Sequence, residues 1–503
     1  MAGNRDIKVA RAFHDMTAHS PASVRTSGHT LEWDIKPFPF KVYTDRSAIA
    51  LPRAFDPVEL DTLRALDPST AVPAHDLTLD RLAALLYLSA GVTKKKTYPG
   101  GGEALFRAAA STGALYQTEA YVVTGAIEGL AAGVYHFNPG DFALRQLREG
   151  DVRASLAEAA ADPAIARRAA TTVLTAIFWR NTWKYQARGW RHLYWDSGTM
   201  LSNLTAVGHA LGLAPRVVAG FVDDDVNGLL GIDHEREAGL ELVAVGRDTA
   251  PVPAPARLDE IRHETLPLSS EDVDYPTLRE MQQASALASP SEVASWRSAA
   301  APPPREPDGE LRRLPVPRVA AGRGLGETIQ HRGSSRRFTQ APLTAEELGT
   351  TLWWATRPLA ADVPWGLVDP FLIVNAVDGI ASGAYRYARE LHALELLRAG
   401  DFRRESAYLC LEQPLGGDAA ATLYFLAPLT ALLAAFGNRG YRLANLEAGV
   451  IGGRAYLTAY AQRFGATGLT FYDGKVVEFF APASRGLDAI FVTALGHGAR
   501  APW

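Results

Sequence analysis

Three short groups of residues in this 503-residue chain have types and spacings suited to chemistry. The first is HRGSSRRF (331–338), which sets Arg332, Ser334 and Arg336 at alternate positions just ahead of a helical run. Two guanidiniums with a hydroxyl between them suit a terminal phosphate, through charge-assisted bonds worth roughly 1.5–3 kcal/mol each. The second is FRAAASTGALYQTEAYVV (106–123), with Ser111, Gly113 and Tyr116 on a loop entering a strand. Ser and Gly let the backbone approach a planar ligand and present N–H groups to it. The third is Lys184-Tyr185 in WRNTWKYQARGWRH, a proton-transfer pair if burial lowers the ammonium's pKa toward the working range. Singly, each also resembles a solvated turn, a strand entry or an aromatic stripe. Their order along the chain gives them weight.

Other patterns exclude chemistries. PGGGEALF (99–106) lacks the Gly-Lys-Ser/Thr ending of a phosphate-cradling loop, and GRGLGE (322–327) fails the dinucleotide pattern. DDDVNGLLGIDH (223–234) begins like a calcium loop but ends at His234, where a bidentate carboxylate is required. The 12 histidines show no tight ligand spacing, so no metal is expected, and there is no Gly-x-Ser-x-Gly nucleophile elbow.

The elements that must position these groups occur twice. Residues 121–153 and 371–403 align without a gap and match at 12 of 33 positions, including Gly129/Gly379, Tyr135/Tyr385 and Asp151/Asp401. Such a repeat marks a duplicated domain. LTLDRLAALLYLSAGV (77–92) reads as a helix with Thr78 as its N-cap, answered by LTAEELGTTLWWAT (343–356). YVVTGAI and GVYHF read as strands joined by a turn at Glu128–Gly129. A long helix is expected over 196–212, and ARGWRHLYWDSG (187–198) is answered by NRGYRLANLEAG (438–449). The recurring order argues for an α+β layered fold made twice. The chemistry is divided between the copies: the first has no arginine in 65–76, while the second has no Ser-x-Gly and carries Ala435-Phe436 opposite Lys184-Tyr185.

The expected division is an arm over 1–50, a first domain over 51–250, a Pro/Ala-rich linker over 251–320 and a second domain over 321–503. A net charge of -4 gives no reason to expect nucleic acid or an anionic membrane. One cysteine, Cys410, excludes a disulfide framework and fits a reducing compartment. With no apolar leader and no membrane-length apolar run, the expectation is a cytoplasmic protein.

In this order the motifs resemble the nitroreductase superfamily, and within it the azoline (SagB-type, thiazoline oxidase-like) dehydrogenases, over nearly the whole chain. The resemblance implies two nitroreductase-like domains packed as an intramolecular pseudo-dimer with FMN between them. Arg332, Ser334 and Arg336 of the second copy would hold the phosphate, and Ser111 and Gly113 of the first would touch the flavin. By family position, Gly468 and Leu469 would line the ring and Arg500 would add a phosphate contact. Lys184 and Tyr185 map onto that family's acid/base pair. The implied reaction is oxidation of an azoline in a modified peptide, with hydride passing to the flavin. An NAD(P)H-dependent nitro or quinone reductase and a flavin-free peptide-binding scaffold are the alternatives. Partner biosynthetic enzymes and further oligomerisation stay open.

Overall fold

The computed structural model describes residues 3–98, 102–249, 251–252, 254 and 258–499. The repeat takes the form of two antiparallel seven-stranded sheets with one strand order. The first runs Ala48–Ala50, Ala143–Glu149, Gly133–Asn138, Thr118–Thr124, Ala170–Ile177, Glu237–Val245, Arg216–Val218. The second runs Glu310–Arg313, Ala393–Ala399, Gly383–Ala388, Asp369–Val374, Ala421–Ala427, Asp488–Gly496, Gly465–Leu469. Each strand has its counterpart at the same place. The central strands Thr118–Thr124 and Ala170–Ile177 are buried along their whole length. Burial of every residue, the polar ones included, shows a sheet covered on both faces here rather than a half-wet one. The repeated turn places Gly129 at φ +85° and Gly379 at φ +74°, which explains why both copies keep glycine there.

Thr78 caps the Leu79–Ala90 helix by accepting the Arg81 N–H. Its counterpart, Ala345–Ala355, starts on a capping box between Thr344 and Glu347. The long helices are Gly189–Ala210 and Arg439–Ala461, and they pack on one another at the centre of the molecule. The first begins seven residues before the expected 196 and ends two before 212. Trp190, Leu193 and Tyr194 are fully buried between the halves, so the segment shows no polar face from which to read a helical period. Trp190 stacks on Tyr441 across the seam, 5.1 Å between centroids.

The N-terminal arm clamps both halves. Its Lys8–Met16 helix lies against the second, where Asn438 Oδ1 accepts the Ala10 N–H. Farther on, Lys41 pairs with Glu237 of the first sheet at 2.6 Å. Among the described residues of the stretch expected as a linker are the Pro276–Ala284 and Pro290–Arg297 helices, and Trp296 is fully buried with its indole N–H on the Phe436 carbonyl. No helix among the described residues is long and apolar enough to cross a membrane, and no group of His, Cys, Asp and Glu among them could hold a metal.

Candidate functional site

The loop between strands Glu103–Arg107 and Thr118–Thr124 is strained. Gly113, Ala114 and Tyr116 have φ of +64°, +55° and +52°. A non-glycine residue in that region costs of order 1–3 kcal/mol, so something must hold it. That is Asp196, from the Gly189–Ala210 helix. Its carboxylate accepts Ser111 Oγ–H at 2.6 Å, Thr112 N–H at 2.8 Å, Thr112 Oγ1–H at 2.7 Å and Gln117 Nε2–H at 2.7 Å. Burial outweighs these donors and pushes the Asp196 carboxyl up to about 6. The Ser111 oxygen also accepts the Tyr116 N–H, so this hydroxyl shapes the loop. A Cβ on Gly113 would stand 2.9 Å from Tyr185 Oη, and glycine is what lets that phenol reach the loop.

Lys184 and Tyr185 end the Phe178–Tyr185 helix. The next residue, Gln186, has φ 50° and ψ -146°, a conformation natural to glycine, and its counterpart Gly437 has φ 68° and ψ -161°. Strain therefore sits directly behind the pair that only the first copy carries. The Tyr185 ring meets His192 edge-on at 4.5 Å, and the Lys184 ammonium lies 5.3 Å from the Tyr185 ring centre. Burial, then the charges of Arg336 and Lys36, lowers the Lys184 pKa. Burial and the Asp196 charge raise that of Tyr185. One partner thus shifts toward neutral amine while the other stays a hydroxyl.

From the second half, Arg332 caps the Leu325–His331 helix and reaches across the seam. Its Nε donates to the Ala108 carbonyl at 2.8 Å and its Nη2 to the Arg107 carbonyl at 3.1 Å, just before Ser111. Ser334 Oγ and Tyr456 Oη are 3.0 Å apart, and Tyr456 Oη accepts the Gly468 N–H at 2.8 Å. One tyrosine thus joins the Arg-x-Ser-x-Arg loop to the Gly465–Leu469 strand, which includes Leu469. Arg336 is exposed, and its charge is felt at Lys184. Lys94, on the hairpin of Val92–Thr97 and Glu103–Arg107, donates to the carbonyls of His331 and Arg332. Burial and Arg332 lower its pKa. Arg500 lies outside the described residues.

Lys94, Lys184, Arg332 and Arg336 make no ion pair among the described residues. Arg336 depresses Lys184 and Arg332 depresses Lys94, and a group of cations without an ion-paired carboxylate makes a field suited to a phosphate. A glycine-containing loop beside that field suits the flat part of a phosphorylated cofactor. These residues fit FMN.

The reading of the sequence missed Asp196, Lys94 and Tyr456. Asp196 was legible only as one more residue of a helix, and Lys94 only as part of the run KKK (94–96). The mirror position is built differently. Glu447, at the repeat position of Asp196, accepts the N–H groups of Gly366 and Leu367. The 358–367 loop pairs along Arg216–Val218, with Val217 N–H on the Ala360 carbonyl and Asp362 N–H on the Val217 carbonyl. About 10 Å³ is left between Val217, Val363, Trp365 and Leu443.

The model of the nitroreductase family matches residues 62–247. A protein of Methanocaldococcus jannaschii named as a nitroreductase is 30% identical over 172 residues, covering 34% of this chain and 81% of that protein. The chain belongs to the nitroreductase family, a family of oxidoreductases. It is also 27% identical over 179 residues to the trifolitoxin-processing protein TfxB of Rhizobium leguminosarum bv. trifolii, with 34% of this chain matched. The chain spans about half of that relative, 48% of its length. The crystal structure of a protein from Anabaena variabilis, described as a nitroreductase, superposes with a TM-score of 0.78 at 26% identity. That match covers 97% of this chain and 99% of the other, so the two-sheet architecture is shared as a whole.

Proposed function

We propose that the chain binds one FMN in the seam between its halves and oxidises azoline rings of a modified peptide to azoles. The arrangement that supports this is the meeting of Lys184 and Tyr185, the Asp196-held Ser111–Gln117 loop and the Arg332 loop from opposite halves. In this reading Arg332, Ser334 and Arg336, with Lys94, hold the phosphate, while Ser111, Gly113, Gly468 and Leu469 flank the ring. The domains run over 51–250 and 321–503, and 251–320 passes between them. Likeness to a trifolitoxin-processing protein favours a substrate that is itself being matured.

When bound, FMN supplies a two-electron acceptor for hydride. The residues of the chain manage the proton. Forming an azole removes one hydride and one proton from neighbouring ring atoms, and the proton needs a base. Lys184 suits that task because burial and two neighbouring cations enlarge its neutral fraction. Tyr185 stays protonated and donates a hydrogen bond that orients the substrate.

The test is the absorbance and flavin content of the purified protein, followed by anaerobic mixing with a thiazoline-containing peptide. One FMN per chain and flavin reduction by the peptide are expected. Bleaching by NADPH with no response to the peptide would replace this reading with a nicotinamide-driven reductase. A colourless protein, purified with FMN available, would replace it with a scaffold.

A further inference from the structure

The position related to the Arg332 cluster by the internal repeat is not solid. Chain leaving the Thr62–Leu66 helix occupies the place that Arg332–Ser334 occupy after Leu325–His331. Thr205 and His209 stand on the Gly189–Ala210 helix where Tyr456 and Tyr460 stand on its partner. Between these residues and the 358–360 turn lies a cavity of about 330 Å³. The ring side of this mirror position is filled by the 358–367 loop, but its phosphate side is open.

The first copy has no arginine loop here, yet the cavity is cationic. Arg168, Arg216 and Arg454 line it, and no Asp or Glu does. They come from three other places: the residue pair before strand Ala170–Ile177, the start of strand Arg216–Val218, and the long helix of the second half. Arg216 pairs with Asp162 outside the lining. Arg168 donates to the carbonyls of Leu213, Ala214 and Ala244. Arg454 is 3% exposed and donates to the Arg357 carbonyl at 2.5 Å, while its Nε has no partner among the described residues. Burial and Arg357 lower its pKa to about 10. His209 Nε2 also lacks a partner among the described residues. Neither Arg168 nor Arg454 makes an ion pair among them. A buried guanidinium without a counter-charge is costly, and an anion in the cavity would remove that cost.

We propose that this cavity binds a phosphate-class anion, free or at the end of a small ester, and accepts no flavin. Its volume lies at the lower end for small-ligand pockets. Guanidiniums are the groups best suited to bidentate contact with phosphate oxygens. Because Arg454 comes from one half and Arg168 and Arg216 from the other, the anion would also tie the halves together and raise the melting temperature by linkage.

The test is calorimetric titration of the protein, saturated with FMN in phosphate-free buffer, with inorganic phosphate and separately with AMP. One site per chain is expected. Arg454→Met and Arg216→Gln should each weaken it roughly tenfold or more, the loss of a charge-assisted contact. Tighter binding of AMP assigns the site to an ester, and equal or weaker binding assigns it to the free anion. Binding that does not depend on Arg454 overturns the proposal. Should Arg454→Met fail to fold, an Arg216→Gln affinity equal to that of the unaltered protein overturns it. Dependence on Arg454 reads this cavity whether or not the other site takes FMN.

Discussion

Gly198 and Gly449 occupy the same position of the repeat and meet where the two long helices cross. A Cβ on Gly198 would lie 2.7 Å from the Leu446 carbonyl oxygen and the Val450 nitrogen, and one on Gly449 would lie 2.5 Å from the Trp195 carbonyl oxygen. All of these are backbone atoms, which cannot turn aside. Gly198→Ala must therefore push the helices apart, at about 1–3 kcal/mol. Urea denaturation should show the loss, and Gly449→Ala should show one of similar size. An unchanged midpoint in both would mean that the halves do not close on this crossing.

Asp196 anchors the strained loop and Arg332 fastens the opposite loop to it. Asp196→Ala should release Ser111, Thr112 and Gln117 together, and Arg332→Ala should remove a charge and two seam contacts. Both variants should fold, judged by circular dichroism, and both should weaken FMN retention at least tenfold through lost charged hydrogen bonds. Full flavin occupancy after dialysis of Arg332→Ala would refute the phosphate assignment.

Lys184→Ala should keep its flavin and lose roughly 10²–10⁴ in the rate of anaerobic flavin reduction by substrate, the usual cost of a lost general base. Its lowered pKa sets the direction of the pH dependence. The rate should rise with pH as Lys184 loses its proton, with a midpoint below the ordinary lysine value, and Lys184→Ala should lack that rise. A rate equal to that of the unaltered protein would show that Lys184 is not the base.

Gln186→Gly should relieve the left-handed conformation behind the Lys-Tyr pair, as Gly437 does in the other copy. Stability should rise by about 1 kcal/mol or more in urea titrations. Turnover should fall, because the strain holds Lys184 and Tyr185 in place. A gain in both would separate the strain from the chemistry.

Asp473 joins the arm to both halves, accepting from Arg188 at 3.0 Å, Arg191 at 2.5 Å and the His19 N–H at 2.8 Å. Burial pushes its carboxyl up, but Arg188 and Arg191 outweigh burial and hold it at about 2. A depressed carboxylate contributes stability above its unfolded value and loses it as pH falls through the folded one. The contribution of about 2–3 kcal/mol should therefore be complete at pH 5 and decline from about pH 4 toward 2. Asp473→Asn should cost about 3–5 kcal/mol at pH 7, by leaving two guanidiniums buried and unpaired. Its deficit should shrink in acid; a deficit constant with pH would mean that the charge is not what matters.

The duplication, the strand and helix order within each copy and the unequal sharing of Arg332, Ser334, Arg336, Ser111, Gly113, Lys184 and Tyr185 were legible in the chain itself. These are local signals: Gly129 and its repeat partner Gly379 mark a turn, Thr78 marks a helix start, and YVVTGAI and GVYHF mark strands. The tertiary structure alone decided what stands against what. Asp196 is unremarkable until it faces a loop 84 residues earlier, and Arg332 acquires partners at Arg107 and Ala108 only through closure of the seam. The first seven residues of the central helix escaped notice because burial on every side erases the period that reveals a helix. The plugged ring side of the mirror position and its cationic remainder were likewise invisible. They depend on the 358–367 loop pairing with Val217 and on Arg454 crossing from one half to the other, contacts between segments that no local pattern connects.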